Sequence, residues 1–322
     1  MRRTGTAAAF RSGMVLTAVT LAATALSSDF VVLLIARAAA GVTGAVVFIA
    51  GGVIAARIAA RSSSGVPLTI FFAGAGLGIA ASGASIPALG ADWRAGWVGL
   101  GVAAGVAALV SWTAAGTDGD APTTIAGTAR VLQLWWVALP YVLFAVGYIS
   151  YITFLSAYLA ERQASVTQVM LVWTVMGLAV IAAPVLWSRP VVRWPGGAAL
   201  GTLLAILAAG AALALVSTAL PVVLASVVLY GASFMSVPAA VTARVRDAVP
   251  PGDLAATIAA FTILFAAGQA VGPWIAGTIA DHTSTGATVA WTVVLCAAGA
   301  GIAVTAPRPV APHPPGGFDD PH

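Results

Sequence analysis

Residues 31–55 read VVLLIARAAAGVTGAVVFIAGGVIA, twenty-five positions with no proline and a single charge, Arg37. About 20 mainly apolar residues are enough for a helix to cross the hydrocarbon of a bilayer. The apolar residues run continuously instead of alternating, which favours a helix over a strand of a membrane barrel. This stretch is therefore read as a membrane-spanning helix that carries one arginine about two turns from its start.

The rest of the chain repeats that texture. Nine further apolar segments lie at about 8–26, 66–89, 95–114, 133–159, 165–187, 196–216, 220–243, 254–279 and 286–306. Of the 322 residues, 60% are apolar and 7% charged, against about 45–50% and about 25% in a soluble domain. So few charges cannot cover a water-soluble surface. Soluble enzymes, nucleic-acid binders and disordered proteins are excluded. Ten helices use about 220 residues at the spanning length, and the remainder supplies loops and tails. No room is left for a soluble catalytic domain, so an enzyme is not expected. The expected fold is an all-α polytopic membrane protein.

Turn residues separate the helices: Ser27-Ser28-Asp29, Arg61 to Gly65, Ser188-Arg189-Pro190 and Pro250 to Asp253. The longest polar interval, 115–130, holds Asp118, Asp120 and Pro122. It divides the chain into four helices within 1–114 and six within 131–306. The Pro- and Gly-rich tail 307–322 is expected to be disordered.

All 14 basic residues are arginine. With the N-terminus inside, inner segments hold Arg2, Arg3, Arg11, Arg57, Arg61, Arg130, Arg189, Arg193, Arg244, Arg246 and Arg308, and outer loops hold Arg94 and Arg162. Such a bias fixes orientation, because basic loops stay in the cytoplasm. Both termini and the central loop are expected there. Arginines scattered in this way form no nucleic-acid patch. The lone Cys296 excludes an internal disulfide, and His282, His313 and His322 offer no ligand spacing. No nucleotide-binding loop is present, so no cofactor or metal is expected.

Candidate functional residues are polar or small residues inside spans. Arg37 costs at least about 2.5–3.5 kcal/mol at depth. Gly41 and Gly44 follow it at helical spacing and would let a neighbouring helix approach. Arg37 could face a polar cavity, meeting a carboxylate or an anionic substrate, or it could snorkel to the interface. Gly74, Gly76, Gly78 and Gly83 make a small-residue face on the third helix. In the ninth, Gly268-Gln269-Ala-Val-Gly272-Pro273 combines close packing, a buried amide and a kink. Tyr141, Phe144, Tyr148, Tyr151 and Leu155 form a stripe on the fifth helix that could line a substrate path or fill a core. Trp93 and Trp97, near helix ends, read as an interfacial belt. Gly41 and Gly231, like Gly78 and Gly268, lie 190 residues apart, which suggests two related halves. None of the ten acids lies deep in a helix.

At these residues the chain resembles the major facilitator superfamily, specifically the YbfB/YjiJ-type group. The resemblance rests on Pro140 to Phe154, Trp173 to Leu178, Gly74 to Gly83, Gly268 to Pro273, and Arg37-x-x-x-Gly41, which is similar to the superfamily's fourth-helix motif. It implies a two-bundle fold and a bacterial inner-membrane secondary transporter of a small organic molecule, with or without a coupling proton or ion. Arg37, Tyr148, Tyr151 and Gln269 would contribute to the substrate cavity. Gly41, Gly44, Gly78, Gly83, Gly272 and Pro273 would serve packing and hinges. The superfamily has twelve helices in two sets of six, so the ten here match helices three to twelve and the first bundle reads as incomplete. The glycine-rich third helix favours efflux over uptake, although the Gly-Pro pair of related antiporter motifs is absent from it. A non-transporting subunit or an inactive remnant is the alternative.

Overall fold

The computed structural model describes residues 5–62, 66–90, 92–113, 127–195 and 197–305. Arg2, Arg3, Arg308, most of the 115–130 loop and the tail lie outside them. The described residues form eleven α-helices: α1 Thr6–Ala23, α2 Phe30–Ser62, α3 Val66–Ser85, α4 Trp93–Ser111, α5 Trp135–Glu161, α6 Val166–Arg193, α7 Ala198–Val216, α8 Leu220–Phe234, α9 Val237–Ala248, α10 Pro251–His282 and α11 Thr285–Val304. They supply ten segments long and apolar enough to cross a membrane, with α8 and α9 together making one. The apolar run predicts a single helix there, 220–243. The chain instead turns at Met235-Ser236. Pro238 explains the turn, because it has no amide hydrogen and its ring clashes with the carbonyl four residues back, that of Phe234.

Side chains in the turns set several helix starts. Asp29 accepts the amides of Val31 and Val32 at 3.0 and 3.1 Å. Asp92 caps α4 through the Ala95 amide. Before α6, the Gln168 amide donates to Ser165 Oγ while the Ser165 amide donates to Gln168 Oε1. That reciprocal pair satisfies two amides that a helix start leaves without partners. Ser284 caps α11 through Ala287.

Two compact units result. The first contains Met1–Ile125, Leu155–Leu186 and Leu213–Met235. Within it, α1 packs between α2 and α4, and Gly101 of α4 lies against Ala18 and Ala22. Phe48, Phe71 and Phe72 cluster between α2 and α3, with centroids 5.3–6.3 Å apart. Another face of α3, made by Gly76, Ala80 and Gly83, meets Trp173, Gly177 and Ile181 of α6. A Cβ on Gly76 would stand 2.7 Å from the Gly177 carbonyl. The two backbones touch there because neither residue has a side chain.

The second unit contains Ala126–Phe154, Trp187–Ala212 and Ser236–His322. Here α5 meets α10 at Gly268, where a Cβ would stand 2.6 Å from that of Ala145, and again at Gly272 against Val146. It meets α11 where Thr292 Oγ1 donates to the Gly147 carbonyl at 2.8 Å. Near the start of α10, Asp253 accepts the Thr128 amide at 2.9 Å and pairs with Arg130, whose own amide donates to Thr257 Oγ1.

Not every glycine read as packing has a neighbour. A Cβ on Gly41, Gly44 or Gly78 would meet nothing within 4 Å. In α3 the reason is angular. Gly78 lies two residues, about 200°, from Gly76 and Ala80, so the face that packs on α6 turns Gly78 away. In α2 the buried positions are Ala40, Ala50, Gly51, Ile54 and Ala55. Of the glycines paired by the 190-residue offset, Gly231 and Gly268 pack closely while Gly41 and Gly78 do not.

Candidate functional site

The tyrosine stripe of α5 becomes one side of an aromatic stack in the second unit. Tyr141, Phe144 and Tyr148 face Phe261 and Phe265 of α10. The rings of Phe144 and Tyr148 are 4.5 Å apart at 15°, those of Tyr141 and Phe265 5.0 Å at 8°, and those of Tyr148 and Phe265 5.8 Å at 9°. Offset stacking of this kind adds about 0.5–1.5 kcal/mol per pair to simple burial. The glycine contacts hold α5 and α10 close enough for it.

Gln269 lies one helical turn beyond Phe265 and donates its amide to the Tyr148 hydroxyl. Tyr148 is 6% exposed, and Tyr151, a turn further along α5, is fully enclosed. Pro273 lies four residues after Gln269 inside continuous helix. It withholds the amide that the Gln269 carbonyl would otherwise accept. Ser150 Oγ donates to the Val146 carbonyl at 3.1 Å and lies 3.5 Å from that of Gly272. A polar cluster of Tyr148, Gln269, Ser150 and the proline-interrupted backbone at Gly272-Pro273 is thus set in an otherwise apolar wall. Buried hydrogen-bonding groups that converge within an apolar surface give a site its specificity.

Arg37 belongs to the first unit. Its guanidinium stacks over the indole of Trp97 on α4, 4.2 Å from the ring centroid. Among the described residues no carboxylate pairs with it. A ring face attracts the cation by about 0.5–2 kcal/mol without neutralising it, so the charge remains available to an anion. The sequence reading treated Trp97 as belt and missed this contact. The two residues stand 60 positions apart in chain order, and no local periodicity links them. Of the four polar residues singled out from sequence, the structure brings Tyr148 and Gln269 into direct contact. Gly83 sits against Trp173, whose indole N–H donates to Ser156 Oγ at 2.8 Å. No group of three His, Cys, Asp or Glu that could hold a metal occurs among the described residues.

No curated protein matches the chain. Among solved structures, the human organic anion transporter MFSD10 (TETRAN) aligns with a TM-score of 0.59 and 17% identity, over 94% of this chain and 76% of that one. A bacterial homologue of the human lysosomal transporter Spinster, inward-facing and unoccupied, gives 0.55 and 17% over 94% and 81%. The same homologue in its occupied form gives 0.56 and 16% over 92% and 81%. At such identities the likeness shows the fold. The family described as uncharacterised MFS-type transporter YbfB matches residues 1–307. The chain therefore belongs to the YbfB-type family of major facilitator superfamily transporters.

Proposed function

We propose that the protein is a secondary transporter of a small organic anion, working by alternating access. The observation that carries this reading is Arg37, a permanent cation in an apolar span, stacked on Trp97 with no carboxylate beside it. Holding a charge there costs at least about 2.5–3.5 kcal/mol, and a bound anion would offset it. The solved neighbour MFSD10 is an organic anion transporter, which agrees with this choice. Tyr148, Gln269 and the enclosed Tyr151 are the polar groups proposed for the substrate path in the second unit. Gly83, Gly272 and Pro273 are proposed as packing and hinge positions. For Gly41, Gly44 and Gly78 the proposed role is to leave a helix face clear rather than to pack. The direction proposed is efflux, on the glycine-rich α3. The arginine bias supports a bacterial inner-membrane location with both termini in the cytoplasm.

Thermal stabilisation of the purified protein tests the anion assignment. A panel of small aromatic and aliphatic carboxylates is compared with the corresponding neutral amides. At least one acid should raise the melting temperature where its amide does not, and Arg37→Ala should remove the difference. Acids and amides acting alike on the wild type would refute the assignment.

A further inference from the structure

We propose that the seam between α1 and α4, headed by Arg11 and Trp112, binds a phospholipid with an anionic headgroup. The two helices run antiparallel. Gly101 of α4 lies against Ala18 and Ala22 of α1, and further along the same contact Arg11 meets Trp112. The Arg11 Nε–H donates to the Trp112 carbonyl at 3.0 Å, and the guanidinium carbon stands 5.3 Å from the centre of the indole. That bond caps the end of α4, but it uses only one of the N–H donors of a guanidinium. Among the described residues the Nη groups of Arg11 have no acceptor, and no carboxylate pairs with it. Arg57 and Arg61 of α2 lie towards the same end of the unit, because Gly51 sits beside Phe10. Asp29 and Asp92 precede the helix starts at the opposite end. The charge of the described residues at the Arg11 end is therefore positive, which favours an anionic headgroup over a zwitterionic one.

The seam beyond this pair is apolar. At 100° per residue, Arg11, Ala18 and Ala22 share one face of α1 to within about 20°, as Gly101 and Trp112 do on α4. Val15 and Val19 are turned from that face of α1 by about 40° and 80°, and Leu109 and Val102 from that of α4 by about 80° and 100°, all in the same sense. On antiparallel helices an equal sense of rotation puts all four on one side of the seam, and all four are exposed. Val19 stands about 12 Å along α1 from Arg11, and Val102 about 15 Å along α4 from Trp112. One leaflet is half of a hydrocarbon layer of roughly 30 Å. The seam thus offers an acyl chain a track of one leaflet's depth that begins at a cation and an interfacial indole. An exposed apolar face alone takes any lipid; the cation at its head makes this one selective.

The site is independent of the transported substrate. Its test places the photoreactive residue benzoylphenylalanine at Leu109 or, as a control, at Val110. Val110 is exposed at nearly the same depth but points about 180° away from the seam. The protein is irradiated in nanodiscs of phosphatidylcholine containing a minority of phosphatidylglycerol with the same acyl chains, and the attached lipid is identified by mass spectrometry. At Leu109 phosphatidylglycerol should be enriched about fivefold over its share of the disc, the effect of one arginine at an anionic surface. At Val110 it should match its share. Arg11→Gln should return Leu109 to that share, and excess glycerol 3-phosphate should change nothing, because the seam holds the chain as well as the headgroup. The comparison of Leu109 with Val110 needs no change at Arg11, so it decides the proposal even if Arg11→Gln fails to fold. Equal shares at the two positions, enrichment undiminished in folded Arg11→Gln, displacement by glycerol 3-phosphate, or attachment to a second protein chain instead of lipid would overturn it.

Discussion

Among the described residues, the polar side chains singled out inside the spans differ in what they touch. Gln269 donates to Tyr148 in a wall otherwise built from rings and methyl groups. Removing either member breaks this hydrogen bond in an apolar setting, and removing both breaks it only once. Gln269→Leu and Tyr148→Phe should each destabilise the protein by about 0.6–2 kcal/mol. The double variant should cost less than the sum of the two. Equilibrium unfolding in mild detergent reads the cycle, and strict additivity would show that the contact carries no energy. At this scale the sequence was only partly legible. Gln269 and Tyr148 could be singled out because amides and phenols are rare inside spans. Their pairing, and that of Arg37 with Trp97, depend on which helices are neighbours.

Individual helices were easier to read than the contacts between them. Uninterrupted apolar runs locate the spans, and the turn residue Asp29 marks a start because its side chain accepts the first free amides of α2; the caps at Asp92, Ser165 and Ser284 emerge only in the structure. The break at Met235-Ser236 was missed, although Pro238 carries the reason for it. Glycines were legible as small residues but not by face. Gly76, Gly83 and Gly177 let α3 and α6 touch, while Gly41 and Gly78 face open space. Gly177→Leu should therefore push α3 from α6, lowering the melting temperature by several degrees. Gly41→Leu, equal in added bulk, should leave it nearly unchanged. Melting curves of the two variants side by side decide this; equal losses would mean that the α3–α6 contact is not the one that matters.

For the whole molecule, composition alone fixed the class, because 7% charge leaves no other solvent than lipid for most of the surface. The proposed orientation rests on arginine counts, with eleven on one side and two on the other. A C-terminal alkaline phosphatase fusion should accordingly be inactive and a green fluorescent protein fusion bright, and the opposite pattern would invert the topology. The substrate is a property of the arrangement of side chains in space, so composition is silent about it. The central claim is that this arrangement carries organic anions, with Arg37 as the group that recognises their charge. Flux into sealed proteoliposomes, measured with labelled carboxylates for the wild type and for Arg37→Ala inserted to the same level, tests it most directly. The account predicts wild-type uptake above empty vesicles for at least one acid and a fall of tenfold or more in the variant. Uptake by Arg37→Ala at the wild-type rate, or none by folded wild-type protein across the panel, would contradict it.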